Sequence, residues 1–173
     1  MSQFPNYINF KNDNSYKLFR EEFSELFDKK YYKTIKPMDY YLDLLNFCKS
    51  KYGEKNVFIL TNRRKESALQ VCKYFSITDI IGVEKIFSTK MDSTSNPKSN
   101  SLKHVRKLLY FNNKLGYYVG DNVTDIDSAI DNNAIPLYIS GKEPLIDITS
   151  KYNLINNINY FSSLYDLLVF LKV

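Results

Sequence analysis

The stretch YYVGDNVTDIDSA, residues 117–129, runs three large apolar residues into Gly120 and then brings in three carboxylates, Asp121, Asp125 and Asp127. A short apolar run without polar alternation is the pattern of a strand covered on both faces. The Gly-Asp step straight after it, with a second carboxylate four residues on, reads in two ways. It is a turn whose side chains close on their own backbone and cap the following helix, or it is a cation site at a strand end. The glycine lets the backbone approach a site without a Cβ in the way. Carboxylates four apart, the second in the first turn of a helix, can point into the same cavity.

Working outward, the same alternation recurs. NVFIL (56–60) is a continuous apolar strand that ends at Thr61-Asn62, and a helix follows over about 65–75 through Ala68, Leu69, Val71, Cys72 and Phe75. EKIFS (84–88) is a short strand, TKMDSTSNPKSN (89–100) a polar loop, and 101–111 a helix through Leu102, Val105, Leu108 and Leu109. LGYYVG (115–120) leads into a helix from near Val123 to Asn132-Asn133, and AIPLYIS (134–140) is a strand that holds Pro136 near its start or a sheet edge. EPLIDITSKY (143–152) reads as a short helix, INYF (158–161) as a minor strand, and SSLYDLLVFLKV (162–173) as an amphipathic helix capped by Ser162 or Ser163. Upstream, YINF (7–10) is a weak strand, and 15–30 is a helix with Leu18, Phe19, Phe23, Leu26 and Phe27 on one face. Residues 37–53 form a helix with proline at its start and glycine at its end. Strands alternating with helices predict an α/β domain with a mostly parallel sheet, whose ligands bind beyond the carboxyl ends of the strands.

At 173 residues, 44% of them hydrophobic, the chain is long enough for one packed domain and too short for two comfortable ones. No apolar run approaches the ~20 residues that span a bilayer, and the amino-terminal stretch has no basic region followed by an apolar one. Cys48 and Cys72 lack CxxC spacing and read as reduced thiols of a cytoplasmic protein. The net charge of +5 comes from scattered lysines and arginines rather than a stripe interleaved with aromatics, which disfavours a nucleic-acid partner. His104 sits between Lys103 and Val105 on a helix and reads as a solvated side chain.

Three strand-end features converge: ILTN (59–62), the lysine of PKSNSL (97–102), and VGDNVTD (119–125). Together, over residues 37–173, they resemble the haloacid dehalogenase (HAD) superfamily of phosphohydrolases. The resemblance implies a three-layer Rossmann-like fold, a single domain over 1–173, and a minimal helical cap at about 15–36. It implies that Thr61 hydrogen-bonds a phosphoryl oxygen, that Lys98 neutralises charge (with Lys90 or Lys103 as substitutes), and that Asp121 ligates Mg2+ with Asp125 supporting the coordination sphere. Asn62, Arg63 and Ser15 then fall to a small phosphorylated substrate.

The pattern departs from that family at its first motif, DxDxT, whose first Asp is the nucleophile and whose second is the general acid and base. The best match is FKNDNS (10–15). One register puts Lys11 at the nucleophile position, Asp13 at the acid/base position and Ser15 at the Thr position. The other makes Asp13 the nucleophile and loses the acid/base carboxylate. A lysine cannot form the carboxyl phosphate, and its ammonium would repel Mg2+ or take its place. The sequence therefore carries two expectations: a Mg2+-dependent phosphohydrolase, or a degenerate relative that binds a phosphate ligand or a protein partner without turnover.

Overall fold

A computed structural model describes residues 13–88, 97–108, 116–140 and 158–173. The expected strand at 7–10, Lys11, residues 89–96 of the polar loop and the expected helix at 143–152 lie outside the described residues. The chain divides into two compact units, Met1–Lys36 and Pro37–Val173.

In the first unit, helix α1 spans Asp13–Leu26 and passes into a π-helical turn at Phe27–Tyr31 and a 3-10 turn at Tyr32–Thr34. Among the described residues the helix already includes Asp13, two residues before the expected start at Ser15. Four-residue spacing stacks Phe19 on Phe23 and Phe23 on Phe27, with ring centroids 6.1 and 6.5 Å apart.

The second unit carries the strands. β1 (Ile59–Thr61) and β2 (Ile86–Ser88) form one parallel pair, and β3 (Tyr117–Gly120), β4 (Ile135–Ile139) and β5 (Asn159–Phe161) form a parallel sheet in the order β3-β4-β5. The helices are α2 (Tyr41–Tyr52), α3 (Lys65–Tyr74), α4 (Ile77–Ile81), α5 (Pro97–Leu108), α6 (Val123–Asp131) and α7 (Leu164–Lys172). Side-chain alternation along the strands makes three layers. On β4, Leu137 and Ile139 pack with Leu164, Leu167 and Leu171 of α7 and with Leu44 and Phe47 of α2, while Tyr138 between them packs with Ile126 of α6. On β1, Ile59 joins Ala68 and Cys72 of α3 and Ile81 of α4. Phe58 and Leu60 join Leu102 of α5, Tyr118 of β3 and Ala129 of α6 instead. With both faces covered, β4 reads as an unbroken apolar run. β3, expected to be covered twice, buries Tyr118 but leaves Tyr117 and Val119 exposed among the described residues.

The boundaries differ from the sequence reading where local chemistry intervenes. The run expected as a strand from residue 56 is preceded by a 3-10 turn at Glu54–Asn56, and the ladder begins only at Ile59. The helix expected from Pro37 starts at Tyr41, after Tyr40 adopts a left-handed φ of 64° with its ring 5.2 Å from that of Tyr165. Its far end behaves as expected, closing on Gly53 at φ 86°, a conformation that favours glycine. The helix expected from Ser101 begins at Pro97, because proline at the first helical position has no amide to leave unbonded. Helix α4 was not expected; five residues are too few to show a periodicity.

Pro136 lies in the middle strand of its sheet, at the second position of β4. The amide of Ile135 points toward β3, donating to the Gly116 carbonyl at 2.8 Å, and that of Ser140 points toward β5, donating to Phe161 at 2.8 Å. Alternation turns the nitrogen of Pro136 toward β5, one step before the first β4–β5 pair, Leu137 with Asn159. The missing donor costs the ladder nothing there. Cys48 and Cys72 are free thiols in different core clusters, and burial pushes both above the ordinary thiol range. Lys51 beside Cys48 and Arg63 beside Cys72 oppose that rise. Among the described residues, no helix is long and apolar enough to cross a membrane.

Candidate active site

The Gly-Asp step ends β3 and turns into α6. Asn122 occupies the position before the helix in an extended conformation, and Asp125 is the third helical residue. The Asp125 side chain folds back: its Oδ2 accepts the backbone N–H of Asp121 at 3.2 Å. This resembles a capping box, in which a third-position carboxylate returns to an amide at the helix entrance. Asp125 is 4% exposed, whereas Asp121 is exposed. The Tyr118 hydroxyl donates to Asp125 Oδ1 at 3.4 Å from inside the core. The two carboxylates therefore face different surroundings.

Gly120 is what lets them close. A Cβ there would stand 2.2 Å from Asp125 Cβ and 2.6 Å from its Oδ2. The backbone in this turn is not left-handed, so the requirement for glycine is one of space. Further contacts stiffen the turn. Thr124 donates to Asn122 Oδ1, Ser128 Oγ donates to the Thr124 carbonyl at 2.6 Å, and the Asn122 amide donates to Asp121 Oδ1 at 3.3 Å.

Thr61 ends β1, paired in register with Ser88 at the end of β2. Its Oγ1 accepts the Arg63 N–H at 3.2 Å, which leaves the hydroxyl proton to point elsewhere. Ser88 donates to the Arg63 carbonyl, fixing the same loop from the neighbouring strand. Asn62, Arg63 and Arg64 are exposed.

Lys98 is the second residue of α5, in its first turn rather than in a loop. Asn132, at the end of α6, holds that turn in place. Its side-chain amide donates to the Ser99 carbonyl and Oγ, both at 3.1 Å, and to the Ser128 carbonyl at 2.9 Å. Thr61, Lys98, Asp121 and Asp125 thus sit on elements of one unit that share the Leu102, Tyr118, Ala129 cluster. Asp13 and Ser15 belong to the other unit, in the first turns of α1. His104 is exposed. The sequence reading missed Tyr118, Ser88, Ser99 and Asn132. The second of two tyrosines in strand β3 and an asparagine closing a helix were the available signals.

Residues 2–135 match the family described as haloacid dehalogenase-like hydrolase. The chain belongs to that family. No curated protein and no solved structure matches the chain. As a haloacid dehalogenase-like hydrolase it is expected to carry its chemistry at the strand ends, where Thr61 and Asp121 lie. In chemical terms, Asp121 offers an exposed oxygen donor suited to a hard divalent cation. Among the described residues no group of three or more His, Cys, Asp or Glu side chains is placed to hold a metal ion. A cation at Asp121 would fill the rest of its shell with water and phosphate oxygens, which is the habit of Mg2+.

Proposed function

We propose that the protein is a Mg2+-dependent phosphoric monoester hydrolase acting on a small phosphorylated molecule. The observation that carries the reading is the asymmetry of the two carboxylates after β3: Asp125 is buried on its own backbone and Asp121 is held outward. A loop that only capped a helix would need Asp125 alone. When bound, Mg2+ supplies Lewis-acid stabilisation of the phosphoryl oxygens. Asp121 holds it, and the Thr61 hydroxyl donates to a phosphoryl oxygen. Lys98 places a point charge against the developing negative charge. Asn62, Arg63 and Ser15 orient the substrate.

Asp13 carries the proton or bond chemistry. As nucleophile, its carboxylate would attack phosphorus and break the P–O ester bond, the leaving alkoxide taking its proton from water because this register has no acid/base carboxylate. Water would then cleave the acyl phosphate to phosphate and the free carboxylate. In the register that puts Lys11 at the nucleophile position, Asp13 is the acid and base and no acyl phosphate forms. Lys11 also motivates a second reading, a family member that binds phosphate ligands or a protein partner without turnover.

The test is turnover of p-nitrophenyl phosphate and a panel of sugar phosphates and nucleotides with Mg2+. Hydrolysis by the wild type that Asp121→Ala abolishes supports the enzyme. Rates equal to that variant reject it. Lys11→Asp then separates the two readings, since gain of Mg2+-dependent hydrolysis from an inert parent supports binding without turnover.

A further inference from the structure

We propose that Tyr118 is a positioning residue for Asp121. It acts through Asp125, and Asp125 anchors the backbone of Asp121 from behind rather than ligating the cation itself. The anchor stands on the geometry alone. Its consequence for the cation rests on the phosphohydrolase reading.

Three observations lead here. Both Asp125 oxygens are engaged inside the protein, Oδ2 by the Asp121 amide and Oδ1 by the Tyr118 hydroxyl, and the residue is 4% exposed. A buried carboxylate with internal donors is a poor entry point for a hydrated divalent ion, which sheds its water reluctantly. Second, the Asp125 side chain lies against Gly120, where a Cβ would stand 2.2 Å from its Cβ, so the strand end is shaped to receive the inward-turned carboxylate. Third, the Tyr118 ring belongs to the cluster holding Leu60, the neighbour of Thr61, and Leu102, one turn beyond Lys98. The ring takes its position from β1 and α5, and the hydroxyl passes that position to Asp125 and so to Asp121. Tyr118 therefore places the exposed carboxylate relative to the elements bearing the hydroxyl and the lysine.

The chemistry of the pair gives a clean discriminating substitution. In Asp125→Asn the amide oxygen still accepts the Asp121 N–H, and the amide NH2 can donate to the Tyr118 oxygen, which accepts as well as donates. An anchor survives that change, whereas an anionic metal ligand does not.

The experiment uses the full chain and two readouts. The first is hydrogen exchange at the Asp121 amide by NMR, without metal. We expect exchange about tenfold faster or more in Tyr118→Phe and Asp125→Ala, as the loss of a charge-assisted hydrogen bond implies, and close to wild type in Asp125→Asn. The second is Mg2+ titration by calorimetry: Asp121→Asn weakens binding at least about tenfold, while Asp125→Asn stays within about threefold of the wild type. Tyr118→Phe keeps the ring in the core, so its effect on the amide is not one of misfolding, and Asp125→Asn covers the case in which Asp125→Ala does not fold. An Asp121 amide indifferent to Tyr118→Phe and Asp125→Ala overturns the proposal, as does an Asp125→Asn protein that loses Mg2+ as fully as Asp121→Asn. The exchange readout needs no cation. A wild type that binds no Mg2+ therefore rejects the phosphohydrolase reading and leaves the anchor to be judged by exchange.

Discussion

The two strand-to-helix turns after β1 and β3 are built in opposite ways. After β3 the chain closes on itself: a glycine with no space above it, a buried carboxylate, and a core hydroxyl aimed at that carboxylate. After β1 the Thr61 side-chain oxygen and a serine from the next strand bond the backbone of Arg63, and Asn62, Arg63 and Arg64 are exposed. The first turn is fixed before any ligand arrives, which suits a group that must meet a cation at a set position. The second presents exposed cationic side chains beside Thr61, which suits contact with an anionic substrate.

Several substitutions break or sharpen that contrast. Gly120→Ala should be the most damaging, costing about 3 kcal/mol by urea unfolding, because the new methyl must displace the Asp125 side chain. Asn62→Ala in the open turn should stay within about 0.5 kcal/mol. Comparable costs at the two sites would erase the distinction. Next, Asp125→Ala should cost about 2 kcal/mol, since it strands the Asp121 amide and the Tyr118 hydroxyl.

Alkaline pH gives a smaller effect of defined sign. Burial, followed by the Asp125 charge and the hydrogen bond to it, holds the Tyr118 hydroxyl well above the ordinary tyrosine range. The folded state thus favours the protonated phenol. Its contribution is complete below the ordinary tyrosine value of about 10 and is lost as pH rises toward the folded value. Tyr118→Phe should melt with a shallower decline above about pH 10 than the wild type. Equal slopes would show that Tyr52, also raised chiefly by burial, or the thiols carry the effect. Smallest of all, Arg63→Ala should leave stability within about 0.5 kcal/mol while raising KM for a phosphorylated substrate a few-fold, about 1 kcal/mol of lost binding.

The fold was legible because the physical signals repeat. Apolar runs at Val57–Leu60 and Tyr117–Val119 read as strands, although on β3 only Tyr118 is buried while Tyr117 and Val119 are exposed, and Ala68, Cys72, Leu102 and Val105 mark helix faces that the structure buries. The family followed from the order of ILTN, PKSNSL and VGDNVTD, which no single motif would have given. The division of labour between Asp121 and Asp125 was not legible, because spacing places both at one helix entrance without saying which is turned inward. That depends on Tyr118, a residue whose ring satisfies the apolar pattern and hides its hydroxyl from it. Asn132 escaped for a similar reason: an asparagine at a helix end reads as a stop, and its hold on Ser99 joins segments far apart in sequence.

Pro136 carries a consequence of another kind. With no N–H to offer on the β5 side just ahead of the Leu137–Asn159 pair, Pro136 leaves β4 only a carbonyl acceptor there. A slide of β5 by two residues in that direction would keep every side chain on its proper face but would lose one ladder donor. The proline therefore favours the frame in which the last strand is read, and with it the point at which Ser163 caps α7 and Leu164, Leu167 and Leu171 meet the sheet. One missing hydrogen atom in the middle of the sheet thus weighs against the slipped registers that would start α7 elsewhere.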